Sequence, residues 1–70
     1  MEQNKYINKS LEKSFRILEI LSNSVFPLKA SSISRKAVIS RTTTFRLLSV
    51  LNQLGYIHKN TSTNTYTMGH

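Results

Sequence analysis

Apolar residues recur along this chain with a helical period three times, and the pattern then switches to alternation. Leu11, Phe15, Leu18 and Leu21 follow spacings of four, three and three, which predicts a first helix. Ser10 is a suitable N-cap for it, and Glu12 in its first turn suits the positive end of the helix dipole. Ile17 and Ile20 widen the apolar stripe, a width that implies burial on more than one side. Two arrangements fit: one broad core face, or one side towards the core and the other towards a second subunit. Ser22-Asn23-Ser24 ends the helix. Pro27 pushes Phe26 towards extended backbone, so Leu28 could sit in a very short strand.

A second, short helix follows. Ser31 is its expected cap, with Ser32 as the alternative, and Ile33 and Ala37 form an inward i,i+4 pair. Arg35 and Lys36 lie near its carboxyl end, where the dipole favours cations, and Val38-Ile39 makes the connecting turn. Ser40 caps a third helix in which Thr44, Leu47, Leu48, Leu51 and Leu54 trace one buried face. Thr42, Arg46, Ser49 and Gln53 lie opposite. Gly55 can adopt the left-handed conformation that stops the helix. Residues 56–59 and 64–68 then alternate as two paired strands, joined by the polar, turn-prone Asn60-Thr61-Ser62-Thr63. The expected fold is mainly α with a small β-hairpin, a winged helix-turn-helix of three helices plus a wing. Residues 1–9 form an amino-terminal arm and residues 10–69 the domain.

Seventy residues allow one small domain. A chain of this length buries only about 60% of the surface its unfolded form exposes, and its core supplies roughly 3–5 kcal/mol. With no cysteine, neither a disulfide nor a thiolate metal site can brace it. A partner that binds only the folded state is a natural source of further stability.

The net charge of +7 is unevenly spread. All three carboxylates, Glu2, Glu12 and Glu19, precede Lys29, Arg35, Lys36, Arg41, Arg46 and Lys59. That asymmetry favours a polyanionic partner. No stretch approaches the roughly 18 apolar residues that span a bilayer, and the first five residues lack the apolar region of a secretory signal. The expected location is the cytoplasm. Catalysis finds little support. His58 and His70 have no cysteine or carboxylate at metal-ligand spacing, Thr42-Thr43-Thr44 has no base nearby, and no glycine-rich phosphate loop exists. No enzyme activity, cofactor or metal is expected.

At this point the residues match something known. Ser10-Leu11-Glu12-Lys13-Ser14-Phe15-Arg16-Ile17-Leu18-Glu19-Ile20-Leu21 resembles the opening helix of the IclR family of bacterial transcription regulators. Pro27-Leu28 and Ile33-Ser34-Arg35-Lys36 resemble its second segment. Thr42-Thr43-Thr44-Phe45-Arg46-Leu47-Leu48 with Asn52-Gln53-Leu54-Gly55-Tyr56-Ile57 resemble its recognition helix and the start of its wing, and Tyr66-Thr67-Met68-Gly69 the wing's end. The resemblance implies operator binding by a dimer or higher assembly. The first helix would help pair two domains, the recognition helix (about 41–54) would enter the major groove, and the wing (about 56–68) would touch the backbone or minor groove. Three departures matter. The chain ends where the wing ends, so the family's larger effector domain is not represented, and no small-molecule effector site is expected here. Val38 stands where glycine is frequent, so the turn must differ or be strained. Asn64 stands near a usual wing-tip glycine, and asparagine tolerates the left-handed region.

The candidate DNA contacts follow. Arg41, at the start of the third helix, can pair with guanine O6 and N7 or with a phosphate, and so can Arg46. Thr42 and Thr43 can bond to phosphates or base edges, and Phe45 can touch a thymine methyl or simply pack. Lys59 suits a backbone contact. Ser31 and Ser32 either reach phosphate from the second helix or only cap it. Lys5 and Lys9 could follow the minor groove as an arm. The leading expectation is sequence-specific binding of double-stranded DNA by a homodimer paired through the first helix. The alternatives are a winged-helix interaction module with an acidic protein partner, and nonspecific DNA binding by an isolated fragment.

Overall fold

A computed structural model of the chain describes residues 8–69. Its elements run α1 (Lys9–Ser22), β1 (Leu28–Lys29), α2 (Ala30–Ala37), α3 (Arg41–Gln53), β2 (Ile57–Asn60) and β3 (Thr65–Met68). This is the three-helix winged fold, with one elaboration. Strand β1 pairs antiparallel with β3, Leu28 opposite Tyr66, so the wing is a three-stranded sheet in the order β1-β3-β2.

Two helix starts differ from the sequence expectation. Helix α1 is capped by Asn8, not Ser10: the Asn8 side-chain oxygen accepts from the backbone N–H of Ser10 (2.7 Å) and of Leu11 (3.3 Å). Both are good capping residues, and capping by Asn8 starts the helix two residues earlier than a Ser10 cap would. Lys9 is therefore the first helical residue rather than part of an arm, while Lys5 lies outside the described residues. Helix α2 begins at Ala30, with Lys29 in the cap position and no side-chain cap bond. Pairing of β1 with β3 delivers the chain straight into α2, and buried Ala30 packs as its first residue. Ser31 and Ser32 thus lie inside the first turn and cap nothing.

Helix α3 is bounded as its sequence implies. The Ser40 hydroxyl accepts from the Thr43 N–H at 3.2 Å. At the other end Tyr56 N–H donates to Leu51 O and Gly55 N–H to Asn52 O, a Schellman closure with Gly55 at φ +89°. The core gathers Ile17 and Leu21 of α1, Ala30, Ile33 and Ala37 of α2, Ile39, Leu47, Leu48 and Leu51, with Ile57 and Tyr66 from the sheet. Thr44 is fully buried, and its hydroxyl donates to Ser40 O at 2.8 Å. Leu54, expected on the buried face, is 64% exposed. It is the C-cap residue just beyond α3, immediately before the chain reverses at Gly55.

The broad stripe on α1 divides. Ile17 and Leu21 are buried, Leu18 and Ile20 pack partly against the core, and Leu11 and Phe15 face outward. A single core face does not account for these last two.

Candidate nucleic-acid interface

The buried stripe of α3 fixes which side of that helix faces away. With Thr44, Leu47, Leu48 and Leu51 inward, Arg41, Thr42, Arg46, Ser49 and Gln53 are all exposed, and Thr43 is half-buried. Phe45 stands between, 48% exposed, so neither packing nor solvent claims it fully. The helix thus presents two arginines and two threonines within its first six residues, above backbone N–H groups that point out of its amino-terminal end.

Helices α2 and α3 meet in a shallow, open depression. Ser31, Ser34, Arg35, Val38, Ser40 and Arg41 line it. Two of the expected contacts, Ser31 and Arg41, are therefore brought together across the helix-turn-helix. No side chain caps α2, so its first-turn N–H groups beside Ser31 have no side-chain acceptor. Thr42, Phe45 and Arg46 continue along α3 beyond the depression. Lys59 is elsewhere, half-buried on wing strand β2, with its ammonium 5.8 Å from the centroid of the Tyr66 ring. The wing turn beyond it is ordered locally: the Asn60 side chain accepts from the N–H groups of Ser62 and Thr63, and Asn64 takes φ +60° as asparagine can.

The turn between α2 and α3 carries the backbone strain anticipated at Val38. Its φ and ψ are 57° and 50°, left-handed helical geometry, which crowds a β-branched residue. Several bonds hold it there. Val38 N–H donates to Arg35 O and Ile39 N–H to Ser34 O, the Ser34 hydroxyl donates to Ile39 O, and Arg16 of α1 donates to Ala37 O at 2.9 Å. The arginine's part in supporting the turn was not legible in the sequence, because its partner lies twenty-one positions away.

A second surface lies beside Phe15. Leu11, Phe15 and Leu18 of α1 meet Val50, Leu54 and Tyr56 around a mostly apolar groove. The α1 half of it is visible in the sequence stripe; the α3 half is not, because Leu54 reads there as a core position and Val50 falls outside the buried pattern. Among the described residues no group of three or more His, Cys, Asp or Glu side chains could hold a metal ion, and no helix is long and apolar enough to cross a membrane.

The family pattern of the IclR helix-turn-helix domain matches residues 10–61. No curated protein matches the chain significantly in sequence. Among solved structures the chain is similar to an IclR transcriptional regulator from Alicyclobacillus acidocaldarius, with a TM-score of 0.85 and 21% identity over 93% of this chain and 26% of that one. An IclR family transcriptional regulator from Brucella abortus gives 0.85 and 20% over 94% and 25%. Pseudomonas aeruginosa HmgR gives 0.81 and 24% over 89% and 26%. Likeness at these identities establishes the fold. The chain spans about a quarter of the length of these structures.

Proposed function

The chain belongs to the IclR helix-turn-helix family, and from that premise we propose that it binds double-stranded DNA sequence-specifically, as a symmetric pair, in the service of transcription regulation. The family places it among the DNA-binding domains of regulators rather than among enzymes. One observation carries the finer reading: the amino-terminal end of α3 is held on a buried stripe with Arg41, Thr42 and Arg46 turned outward. That is the part of a helix-turn-helix that reaches base edges in the major groove.

The roles divide by chemistry. Arg41 and Arg46 pair bidentately with guanine or clamp phosphates. Thr42 and Thr43 bond to phosphates or base edges. Phe45 offers an apolar edge to a thymine methyl. Ser31, with the uncapped first turn of α2, takes a phosphate across the depression from Arg41. Lys59 and the wing turn follow the backbone or minor groove. Such an interface displaces counterions. Log affinity is expected to fall linearly with log salt, with a slope of about −0.9 for each phosphate engaged. A titration of a fluorescent duplex from low to physiological salt checks this, and a flat response would remove the DNA reading.

The apolar groove supports pairing. Exposed large side chains at Leu11, Phe15, Leu54 and Tyr56 form the kind of patch that marks an interaction site. A second copy of the chain, related by a two-fold axis, would meet it with the same surface. Phe15→Glu is then expected to abolish self-association in sedimentation equilibrium and to leave the monomer folded. Binding to a duplex with two half-sites would lose the avidity gain of about 10²–10⁴ fold. Unchanged association of the variant would move the pairing surface elsewhere.

A further inference from the structure

Helices α2 and α3 end in the same hydrogen-bonded closure, and the residues at the left-handed position differ. In each, one N–H bonds back three residues and the next bonds back five. At the end of α3 the left-handed residue is Gly55, the residue that adopts this conformation without steric cost. At the end of α2 it is Val38, β-branched and at φ 57°, among the residues that adopt it least readily. The strain is not offset by packing, because Val38 is 85% exposed. Nor does the turn need it: Arg16, Ser34 and buried Ile39 hold the backbone through bonds that a glycine at 38 would leave intact. What valine adds over glycine is one apolar group directed away from the fold.

We propose that this group reads a base: the Val38 side chain, standing beside Arg41, takes the 5-methyl group of a thymine in the groove that Arg41 enters. The inference rests on the DNA-binding reading above and adds to it a specificity-determining residue. Val38 lines the same depression as Ser31, Ser34, Arg35, Ser40 and Arg41. Every other exposed or half-buried side chain there is a hydroxyl or a cation, groups suited to phosphates and to polar base edges. Thymine's methyl is the apolar feature of the major-groove edge, and Val38 is the exposed apolar feature of the rim. An orphan conformational outlier at the edge of a candidate binding surface is where strain and function coincide.

The test uses the parent protein, Val38→Gly and Val38→Thr, with a duplex enriched by the parent from a random pool. A set of duplexes carries uracil in place of one thymine at a time, which removes only the methyl group. The parent is expected to lose about fourfold in affinity at one such position, the value of one buried methyl. Val38→Gly should melt at a higher temperature than the parent, yet bind the parent's duplex more weakly and ignore that uracil. Val38→Thr keeps the branching, the strain and one of the two methyls, so it should retain part of the thymine discrimination, without the gain in melting temperature. If both variants keep the parent's affinity and its thymine preference at every position, Val38 makes no base contact and the inference fails, while the DNA reading stands. If the parent binds no duplex from the pool, both fail together.

Discussion

Replacing Arg41 by alanine is expected to lower affinity for the preferred duplex by about 1–3 kcal/mol and to relax the preference at one base position. The size follows from bidentate pairing with a guanine edge, whose two hydrogen bonds no water or neighbouring base reproduces. Folding should be untouched. Arg41 is exposed at the first position of α3, where a substitution moves stability by about 0.5 kcal/mol or less, and Ser40 retains the cap. Affinity and stability therefore separate in one variant. Binding isotherms against the enriched duplex and its single-base variants check the claim. A loss that is uniform across sequences would reassign Arg41 to a phosphate, and no loss would remove it from the interface. Arg46→Ala makes a useful comparison, because it lies farther along the same exposed face and beyond the depression that Ser31 and Arg41 share.

Leu48→Ala should act in the opposite way, weakening apparent binding by unfolding the domain. Leu48 is fully buried at the middle of α3, where it packs between the helices and the sheet. Removing a leucine from such a site costs about 2–5 kcal/mol, the lost transfer term plus the cavity. A core this small supplies roughly 3–5 kcal/mol in all, so much of the variant population is expected to be unfolded at 25 °C. Circular dichroism and urea denaturation measure that directly. Excess duplex should restore part of the helix signal, since a ligand at about a hundred times its Kd stabilises the folded state by roughly 2.7 kcal/mol. Leu54→Ala is the counterpart: six residues further along the chain but 64% exposed, it should leave the fold standing and weaken pairing instead. A Leu48→Ala protein as stable as the parent would mean that the core is not organised around α3.

The elements whose signals are local were legible in the sequence. Ser40, the buried run from Thr44 to Leu51, and Gly55 define α3 by spacing, cap chemistry and the left-handed stop, and all three are found where expected. At Val38 the family resemblance left two outcomes, a different turn or a strained one, and the left-handed backbone found there is the second. What escaped depends on distant partners. The start of α2 is set by pairing between Leu28 and Tyr66, thirty-eight positions apart in the chain, and no local cap signal reports it. The cap expected from spacing was Ser10; Asn8, which caps α1 in the structure, lies two residues earlier in the stretch read as an arm. Leu54 continues the apolar period of α3 perfectly, but periodicity says only that a residue lies on a face, not that another element covers it. The same ambiguity hid the α3 side of the groove around Phe15. For the candidate interface, sequence located the exposed arginines and threonines. The folded chain adds that Ser31 and Arg41 share one depression, and that Arg16 steadies the turn between their helices.

The most direct measurement is selection of duplexes from a random pool by the parent protein, followed by sequencing of those retained. A symmetric pair of α3 helices, each reading a major groove, predicts an enriched site with two-fold symmetry. Its half-sites should lie about 10–10.5 base pairs apart, or a multiple of that, and Arg41→Ala should blur one position in each half. Retained sequences with no shared motif, or a motif indifferent to Arg41, would contradict the account.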